Sequence, residues 1–424
     1  MALSVSGLAQ QLELDVLERF LRYVRVDTQA EYGSNTYPSS LKQLDLIRKL
    51  AEELRALGIE DVQVTEHGYV FATLPAVDAQ DAPTVGLIAH VDTSPDAPGA
   101  NVQPQVWRDY DGGELKLPGN PKQVLSPETS ALLAERVGHD IVTSDGTTLL
   151  GADDKAGVAE IMGAVAYLAA HPELPRPRVR IAFTVDEEVG HGTDHFDLDE
   201  FGADFAYTLD GQKVGEIENE TFSAIGMEVT FHGRGVHPGT AKNKLVNANR
   251  LLGEFLVRLP KDLAPETTEG RQGFIHPGRL EGHGEQASTH LIVRDFEWEL
   301  LEQHVAVVER IAQEVVEGVS GASVDVTQEV SYRNMRDTLE QHPKVLEAAL
   351  EAVRRVGLEP TLGAIRGGTD GSRLTEMGLP TPNVFTGGNE YHSVREWVSV
   401  QDMAVAAATV VELVRVWAEP AWRP

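Results

Sequence analysis

Residues 180–188 read RIAFTVDEE, an apolar and β-branched run that ends in three consecutive acids. A nearly continuous run of apolar and β-branched residues is typical of a strand that is buried on both faces, as in a parallel sheet. VGLIAH (85–90) and FAYTLD (205–210) have the same character, and GVAEIMGAVAYLAA (157–170) has helical spacing. This alternation predicts an α/β fold with a mixed, mostly parallel sheet and helices on both faces.

The order of the predicted elements changes between residues 221 and 331. Strands and helices follow one another there as βαββαβ, which is the order of a ferredoxin-like α+β domain. The first strand of this segment is predicted over SAIGMEVTFHG (223–233) and the first helix over NKLVNANRLLGEFLVRL (243–259). We therefore predict one large domain built from residues 1–220 and 332–424, with residues 221–331 inserted as a smaller domain.

Composition excludes several classes of function. The formal net charge of −30 over 424 residues repels nucleic acid phosphates and anionic membrane surfaces, so neither is an expected partner. The chain has no cysteine, so a metal site must use His, Asp and Glu. No signal peptide or membrane-spanning stretch is apparent, and we expect a cytoplasmic protein.

Carboxylate or imidazole side chains stand where the predicted strands end and at the start of one helix. In a sheet of this kind the carboxyl ends of the strands line one crevice, where ligands bind. So many acids in one crevice would repel one another unless cations neutralised them, which predicts a pair of divalent metal ions. Zinc suits such a set, and cobalt or manganese could replace it. The residues concerned are His90, Asp92, Asp153, Glu187, Glu188, Asp210 and His392.

The acids that follow the strand at 180–186 suggest a division of roles. On an extended segment Glu187 and Glu188 point to opposite sides, so only one readily coordinates metal while the other reaches a metal-bound water. One is then a ligand and the other a general base. Asp186 is expected to end its strand by hydrogen bonding to backbone, and Asp154, at a helix start, is expected to be an N-cap.

Several motifs together resemble the tripeptide aminopeptidases of the M20 family of zinc peptidases. The resemblance runs nearly from end to end and in order, and it implies a catalytic domain with an inserted lid domain that forms a homodimer. The motifs are HVDTSPD (90–96), GADDKAGVAEIM (151–162), FTVDEEVGHGTDHFD (183–197), HPGTAK (237–242), VRDFE (293–297), IRGGTDGS (365–372) and FTGGNEYHS (385–393).

The resemblance also implies a role for each matched residue. It makes Asp153 the ligand that bridges two zinc ions, Glu187 the general base and Asp92 the residue that orients His90, and it implies a cis peptide bond after Asp153. One ion is then held by His90 and Asp210 together with the bridging residue, and the other by Glu188 and His392.

Three further residues are implied as contacts of the substrate. His237 matches a histidine that approaches the oxyanion from the partner subunit, and Arg294 and Arg366 match arginines that hold the C-terminal carboxylate of a peptide. Arginine suits that task because its planar guanidinium is always charged. For Arg294 a surface ion pair is the alternative.

Two other kinds of function stay open. Another M20 activity, such as a dipeptidase, a carboxypeptidase or an N-acyl amino acid deacetylase, would use the same metal chemistry with different pockets. A non-catalytic binding protein of this fold would be expected to lack a ligand or the base, whereas Glu187 and all five expected ligands are present.

Overall fold

A computed structural model describes residues 7–422 of the chain. The chain forms two compact units. The first unit contains the described residues up to Asn219, Asp337–Gly363 and those from Thr369 onward, and the second contains Glu220–Arg336 and Ala364–Gly368. The assignment of catalysis to one unit and of a lid or dimer contact to the other stays a prediction. Between residues 7 and 422 no helix combines the length and apolar character needed to cross a membrane.

The α-helices between residues 7 and 422 follow in chain order. They are α1 (Gly7–Tyr23), α2 (Gln43–Ala56), α3 (Ala152–Ala170), α4 (Leu198–Phe201), α5 (Ala248–Arg258), α6 (Trp298–Val316), α7 (Arg336–Gln341), α8 (Pro343–Arg355), α9 (Asp370–Met377) and α10 (Val400–Ala418).

The strands are also numbered in chain order. The strands up to residue 221 are β1 (Gln63–Val64), β2 (Val70–Leu74), β3 (Val85–His90), β4 (Gln105–Trp107), β5 (Leu115–Lys116), β6 (Val124–Leu125), β7 (Ile141–Thr143), β8 (Val179–Thr184), β9 (Phe205–Gly211) and β10 (Glu216–Thr221). The remaining strands are β11 (Ser223–His232), β12 (Phe274–Gly282), β13 (Gln286–Asp295), β14 (Ser323–Tyr332), β15 (Thr361–Ile365), β16 (Asn383–Phe385), β17 (Gly388–Asn389) and β18 (Trp397–Ser399).

The largest sheet has eight strands in the order β1-β2-β8-β3-β9-β16-β10-β15. Pairing is parallel from β8 through β3 and β9 to β16, whereas β1 and β2, β2 and β8, and β16 and β10 pair antiparallel. The predicted mixed α/β class is therefore confirmed, with parallel pairing confined to the middle of the sheet. The carboxyl ends of β8, β3 and β9 consequently meet at one edge.

Burial along the central strands explains their apolar sequences. Every residue of β3 and of β8 is buried. Because side chains alternate between the two faces of a strand, both faces of the sheet must be covered. Helices α1, α3 and α10 pack against one another, α8 packs on α10, and α3 also packs on β3 and β9.

The second unit contains a four-stranded antiparallel sheet in the order β12-β13-β11-β14. Helices α5 and α6 pack on it, and their apolar faces complete a separate core. The order of elements is the predicted βαββαβ string. The prediction of the first helix, however, was wrong over residues 243–247. The backbone of Val246 pairs there with Arg234 in an extended conformation, and Asn247 caps α5 by accepting a hydrogen bond from Asn249 N.

A close approach between α3 and β9 requires a glycine. A Cβ atom on Gly157 would overlap the backbone carbonyl oxygen of Leu209, and it would also overlap the Asp154 carboxylate. Leu209 immediately precedes Asp210, and Gly157 lies one helical turn from Asp153. The absence of a side chain at this position thus lets the start of the helix lie against the end of the strand.

We expect Gly157→Ala to destabilise the protein by about 1–3 kcal/mol or more, because backbone would have to move to accommodate the methyl group. Gly253→Ala is the matched control. Gly253 lies inside α5 with no atom within 4 Å of the added Cβ, so alanine should stabilise by about 0.5–1 kcal/mol. Chemical unfolding of both variants checks the pair. Equal stability of Gly157→Ala and wild type would contradict the proposed close approach.

Candidate metal centre

His90 and Asp210 are brought together by the pairing of two parallel strands. His90 ends β3 and Asp210 is the penultimate residue of β9. In the register of these strands Ile88 is opposite Thr208, so the two functional side chains each follow two residues later and point to the same face. The Nε2 atom of His90 lies 3.8 Å from the nearer carboxylate oxygen of Asp210.

Asp153 lies between the two imidazoles of the site. Its Oδ1 atom is 3.1 Å from His90 Nε2, and its Oδ2 atom is 3.3 Å from His392 Nε2. The peptide bond between Asp153 and Asp154 is cis, as the family resemblance implies. Both residues have non-helical backbone angles within α3, so the regular helix begins after them. One carboxylate thereby faces both histidines.

Glu188 and His392 form the other side of the cluster. Glu188 Oε2 is 2.9 Å from His392 Nε2, and the Glu188 side chain is only 4% exposed. Its second oxygen, Oε1, is buried and accepts no hydrogen bond from the part of the chain that the structure describes. Buried acceptors normally have partners, so an oxygen of this kind suits coordination of a cation.

Glu187 also faces the cluster, but its backbone is not extended as the sequence pattern predicts. The prediction of an extended segment was wrong: Asp186 has a left-handed backbone with φ of 61°, and Glu187–Val189 form a 3₁₀ turn. Side chains on such a turn do not alternate between opposite sides. The Glu187 carboxylate lies 4.0 Å from His90 Nε2. The division of roles between Glu187 and Glu188 stays a prediction.

Asp92 holds the backbone of that 3₁₀ turn. Its two carboxylate oxygens accept hydrogen bonds from Glu187 N and Glu188 N, each at 3.1 Å. The same carboxylate lies 3.3 Å from His90 Nδ1. Asp92 is completely buried, so these contacts replace those that its charge would make in water. It therefore contacts one candidate ligand through its ring and two acidic residues through their backbone.

Asp186 anchors the same turn from its other side. Its carboxylate accepts hydrogen bonds from Ser39 N and from Gln43 Nε2, and its own N–H donates to Gln43 Oε1. The expectation that Asp186 bonds to backbone agrees with the first of these contacts. The turn is thus fixed to the segment that leads into α2.

Asp154 is an alternative partner for His90 and Asp210, because ligand atoms of these three residues lie within 4.8 Å of one another. Its oxygens are already engaged, however. Oδ2 accepts a hydrogen bond from His90 N and Oδ1 accepts one from Gly157 N, each at 3.2 Å. Asp154 therefore acts on backbone, as expected for a residue at a helix start, and the Asp153 oxygens that face the imidazoles are the better candidates for ligands.

The charges of the cluster shift the pKa values of its members. Hydrogen bonds to Asp153 and Glu188 raise the pKa of His392 to about 11. Burial would lower the pKa of His90, but the neighbouring Asp153 and Asp92 outweigh it and raise the pKa well above its usual value. Burial would raise the pKa of Asp153, yet hydrogen bonds from the two histidines hold it below the usual value. Asp153 is the ionised partner of both imidazoles.

The other acids show the opposite shift. Burial raises the pKa of Glu188 to about 7 and the pKa values of Asp210 and Glu187 well above their usual range. Neighbouring acids add to the effect, with Asp370 acting on Glu187 and Asp153 acting on the other two. Carboxylates that are costly to ionise in this way favour a bound cation.

The donor set fits divalent metal ions. The ligand atoms of the described residues form two groups, His90 with Asp154 and Asp210, and Asp153 with Glu188 and His392. Asp153 also lies 3.1 Å from His90 Nε2, and the chain has no thiolate that would compete with these donors. Nitrogen and oxygen ligands of this type suit zinc, while oxygen-rich sets also accept manganese or cobalt. A metal ion at either group would draw together side chains that already lie 2.9–3.8 Å apart.

The three expected substrate contacts all belong to the second unit. His237 is exposed, and its Nδ1 accepts a hydrogen bond from Gly239 N. Arg366 uses both terminal nitrogens on the loop at 268–272, where it donates to Gly270 O and Gln272 O at 2.7 Å and to Thr268 Oγ1 at 3.0 Å.

Arg294 lies beside Arg366 and donates to its backbone carbonyl at 3.4 Å. The Nε atom of Arg294 is buried and has no hydrogen-bond partner among residues 7–422. Arg294 therefore has a free donor, whereas the terminal nitrogens of Arg366 are already engaged.

Two buried acids near the cluster were missed from the sequence. Asp370 accepts a hydrogen bond from Thr184 Oγ1 at 2.7 Å, and Glu396 bonds to the backbone of the segment that bears Asp153. Each follows a glycine-rich stretch close to an expected site residue, namely GGTD at 367–370 and GGNEYHSVRE at 387–396. That proximity was the available signal, but nothing in a single sequence separates such acids from surface acids.

The chain matches a known protein family and known proteins. The family described as Peptidase family M20/M25/M40 matches residues 144–416. A curated protein named Peptidase T from an Exiguobacterium species is 46% identical over 410 residues, which cover 97% of this chain and 100% of that protein.

Two solved structures share the fold. Aminopeptidase PepT from Bacillus cereus has a TM-score of 0.74 and 24% identity, covering 96% of this chain and 99% of its own. A Bacillus subtilis protein described as a dinuclear metal-binding peptidase of the M20 family has a TM-score of 0.65 and 17% identity, covering 96% of this chain and 98% of its own.

Zinc binding should release protons from the metal-free protein at pH 7. Its carboxylate neighbours raise the pKa of His392 to about 11, so this imidazole is protonated at pH 7, and the pKa of His90 is raised in the same direction, whereas a metal ion binds only the neutral imidazole. We expect at least about one proton to be released per protein, and weaker zinc binding as the pH falls. Calorimetric titration in buffers of different ionisation enthalpy measures the number. A binding enthalpy that is independent of the buffer would contradict it.

Proposed function

The chain belongs to peptidase family M20/M25/M40, and from that premise we propose that it is a di-zinc aminopeptidase that releases the N-terminal residue of tripeptides. It is a hydrolase of that family. The observation that carries the proposal is the convergence of two histidines and three carboxylates, whose facing nitrogen and oxygen atoms lie 2.9–3.8 Å apart. The near full-length similarity to proteins named Peptidase T supports the choice of substrate.

In this proposal Asp153 would be a ligand shared by both ions. His90 and Asp210 would be the other ligands of one ion, and Glu188 and His392 those of the other. The position of Asp153 between the two imidazoles, at 3.1 and 3.3 Å, supports a bridging role. Cobalt or manganese could substitute for zinc at the same donors.

Bound metal ions would lower the pKa of a water held at the site and polarise the scissile carbonyl group. Glu187 would take a proton from the water whose oxygen attacks the first peptide carbonyl carbon. Its buried carboxylate, whose pKa is raised well above the usual value, is suited to hold a proton during the reaction. Glu187 then donates the proton to the nitrogen of the leaving amine as the C–N bond breaks.

Asp92 acts through its neighbours. It fixes the ring of His90 from the Nδ1 side, and it holds the backbone of Glu187 and Glu188. A carboxylate behind a metal-binding histidine sets the orientation of the ring and raises its basicity. We therefore assign Asp92 to the catalytic machinery as an orienting residue, as the family resemblance implies.

Substrate contacts are proposed for three residues of the second unit. Arg294 and Arg366 would bind the C-terminal carboxylate, and the free Nε donor of Arg294 supports the assignment more strongly for that residue. His237 would approach the oxyanion. Its Nδ1 accepts a backbone hydrogen bond, so its Nε2 is the nitrogen that carries a proton to donate.

The cytoplasmic location and the homodimer through residues 221–331 extend the same proposal. The strongly negative charge is consistent with small peptides as substrates rather than nucleic acid or membrane surfaces.

Replacement of the proposed base tests the mechanism. Glu187→Gln preserves the size of the side chain but cannot take up the proton, so kcat should fall by about 10²–10⁴-fold. The zinc content measured by elemental analysis should stay at two ions per chain, because Glu187 is not one of the proposed ligands. Glu52→Gln, on the exposed surface of α2, is the matched control and should keep full activity. A Glu187→Gln protein with activity within tenfold of wild type would eliminate the proposed base.

A substrate panel tests the reaction class. Zinc-loaded protein is incubated with a dipeptide, a tripeptide, a tetrapeptide, an N-acetylated tripeptide and an N-acetyl amino acid, and the products are identified by mass spectrometry. Rapid release of the first residue from the free tripeptide alone is expected. Preferred cleavage of the dipeptide, removal of C-terminal residues, or deacetylation would each assign the protein to another activity of the family, and no cleavage at all would favour a binding protein.

A further inference from the structure

Glu396 is a buried carboxylate that accepts hydrogen bonds from backbone N–H groups. It is 1% exposed, its Oε2 accepts hydrogen bonds from Leu150 N at 2.8 Å and Gly151 N at 2.7 Å, and its Oε1 accepts one from Asp153 N at 2.9 Å. Three N–H donors from one short segment thus converge on one side chain. Such charge-assisted bonds are short and fix the orientation of both partners.

The two partners carry different candidate ligands. The three N–H groups belong to the segment that ends in Asp153, whereas Glu396 follows His392 by four residues in the loop between β17 and β18. The side chains of Asp153 and His392 lie 3.3 Å apart. Glu396 therefore belongs to the same loop as His392, and its side chain accepts hydrogen bonds from the segment that carries Asp153.

The backbone of Glu396 is itself fixed. Its N–H donates to Ser393 O at 3.2 Å, and the next residue, Trp397, is fully buried and pairs with Thr143 in β18 and β7. A carboxylate on a firmly held backbone can impose a position on a loop that it binds. Asp92 acts in the same way, since its carboxylate accepts hydrogen bonds from the backbone of the turn that bears Glu188.

We propose that Glu396 is a positioning residue that sets the distance between Asp153 and His392, and with it the affinity of the shared metal centre. The inference rests on the proposed function, since it concerns the metal ions of that site. Glu396 is not one of the proposed metal ligands or substrate contacts. It acts on the carboxylate of Asp153 through the backbone of residues 150–153.

Replacement of Glu396 by glutamine tests this role. Glu396→Gln has nearly the same size, but it loses the charge and turns an NH₂ group towards backbone N–H donors, so at least one of the three bonds is lost. Partners of metal ligands typically contribute 10–100-fold to metal affinity, and we expect a loss of that size for at least one zinc ion. Glu396→Asp keeps the charge but reaches fewer donors, and it should show an intermediate loss.

Asp204→Asn is the matched control. Asp204 is exposed, belongs to the same unit and accepts a backbone hydrogen bond from Thr84 N at 2.7 Å. This bond lies before the first residues of β3 and β9, whereas His90 and Asp210 lie at the opposite ends of these strands. Its replacement should change the melting temperature without changing zinc affinity. Zinc binding is measured by calorimetric titration of each metal-free protein at 25 °C, after circular dichroism has shown that the protein is folded.

The outcomes separate this inference from the proposed function. Zinc affinity that falls in the order wild type, Glu396→Asp, Glu396→Gln supports the positioning role, and Glu396→Asp alone decides the point if the glutamine variant does not fold. Wild-type affinity in both Glu396 variants overturns the positioning role and leaves the metal centre intact. A wild-type protein that binds no zinc overturns the metal centre and this inference together.

Discussion

The candidate site brings together carboxylates that repel one another at one edge of the sheet. Like charges in a buried crevice raise their own pKa values and oppose folding, so the arrangement requires compensation. Two imidazoles supply part of it, since His90 and His392 both face Asp153 at 3.1–3.3 Å. Divalent cations would supply the rest, and this requirement connects the fold to the proposed chemistry.

Two groups of acids around the cluster differ in what their oxygens contact. Asp92, Asp154, Asp186 and Glu396 accept hydrogen bonds from backbone N–H groups and so hold the segments in place. The candidate ligands instead turn their oxygens towards the imidazoles. One set of carboxylates thus positions the other. An acid that bonds to backbone needs no cation to satisfy it, whereas the orphaned oxygen of Glu188 does.

Sequence patterns could predict the central strands and the order of elements between residues 221 and 331, and they pointed to polar side chains such as His90 and Asp210 because these stand where apolar runs end. The parallel register of β3 and β9 is what brings His90 and Asp210 together, and parallel neighbours follow from the α/β order. The backbone at Glu187 could not be predicted in this way. Alternation holds only in extended chain, and the left-handed Asp186 ends it one residue earlier.

Other features depend on tertiary contacts that a single sequence does not reveal. The late start of α5 follows from the pairing of Val246 with Arg234, and the role of Glu396 follows from N–H groups more than 240 residues away in the chain. Glycine at position 157 is explained only by its contact with Leu209. Local patterns therefore identify which residues carry chemistry, while the residues that position them become visible in the structure.

Anomalous diffraction from a crystal of the zinc-loaded protein would locate the metal ions. We expect two zinc peaks about 3.5–4 Å apart, with Asp153 between them. His90 and Asp210 should contact one peak, and Glu188 and His392 the other. A zinc-saturated crystal with no peak among these side chains would rule out the proposed metal centre.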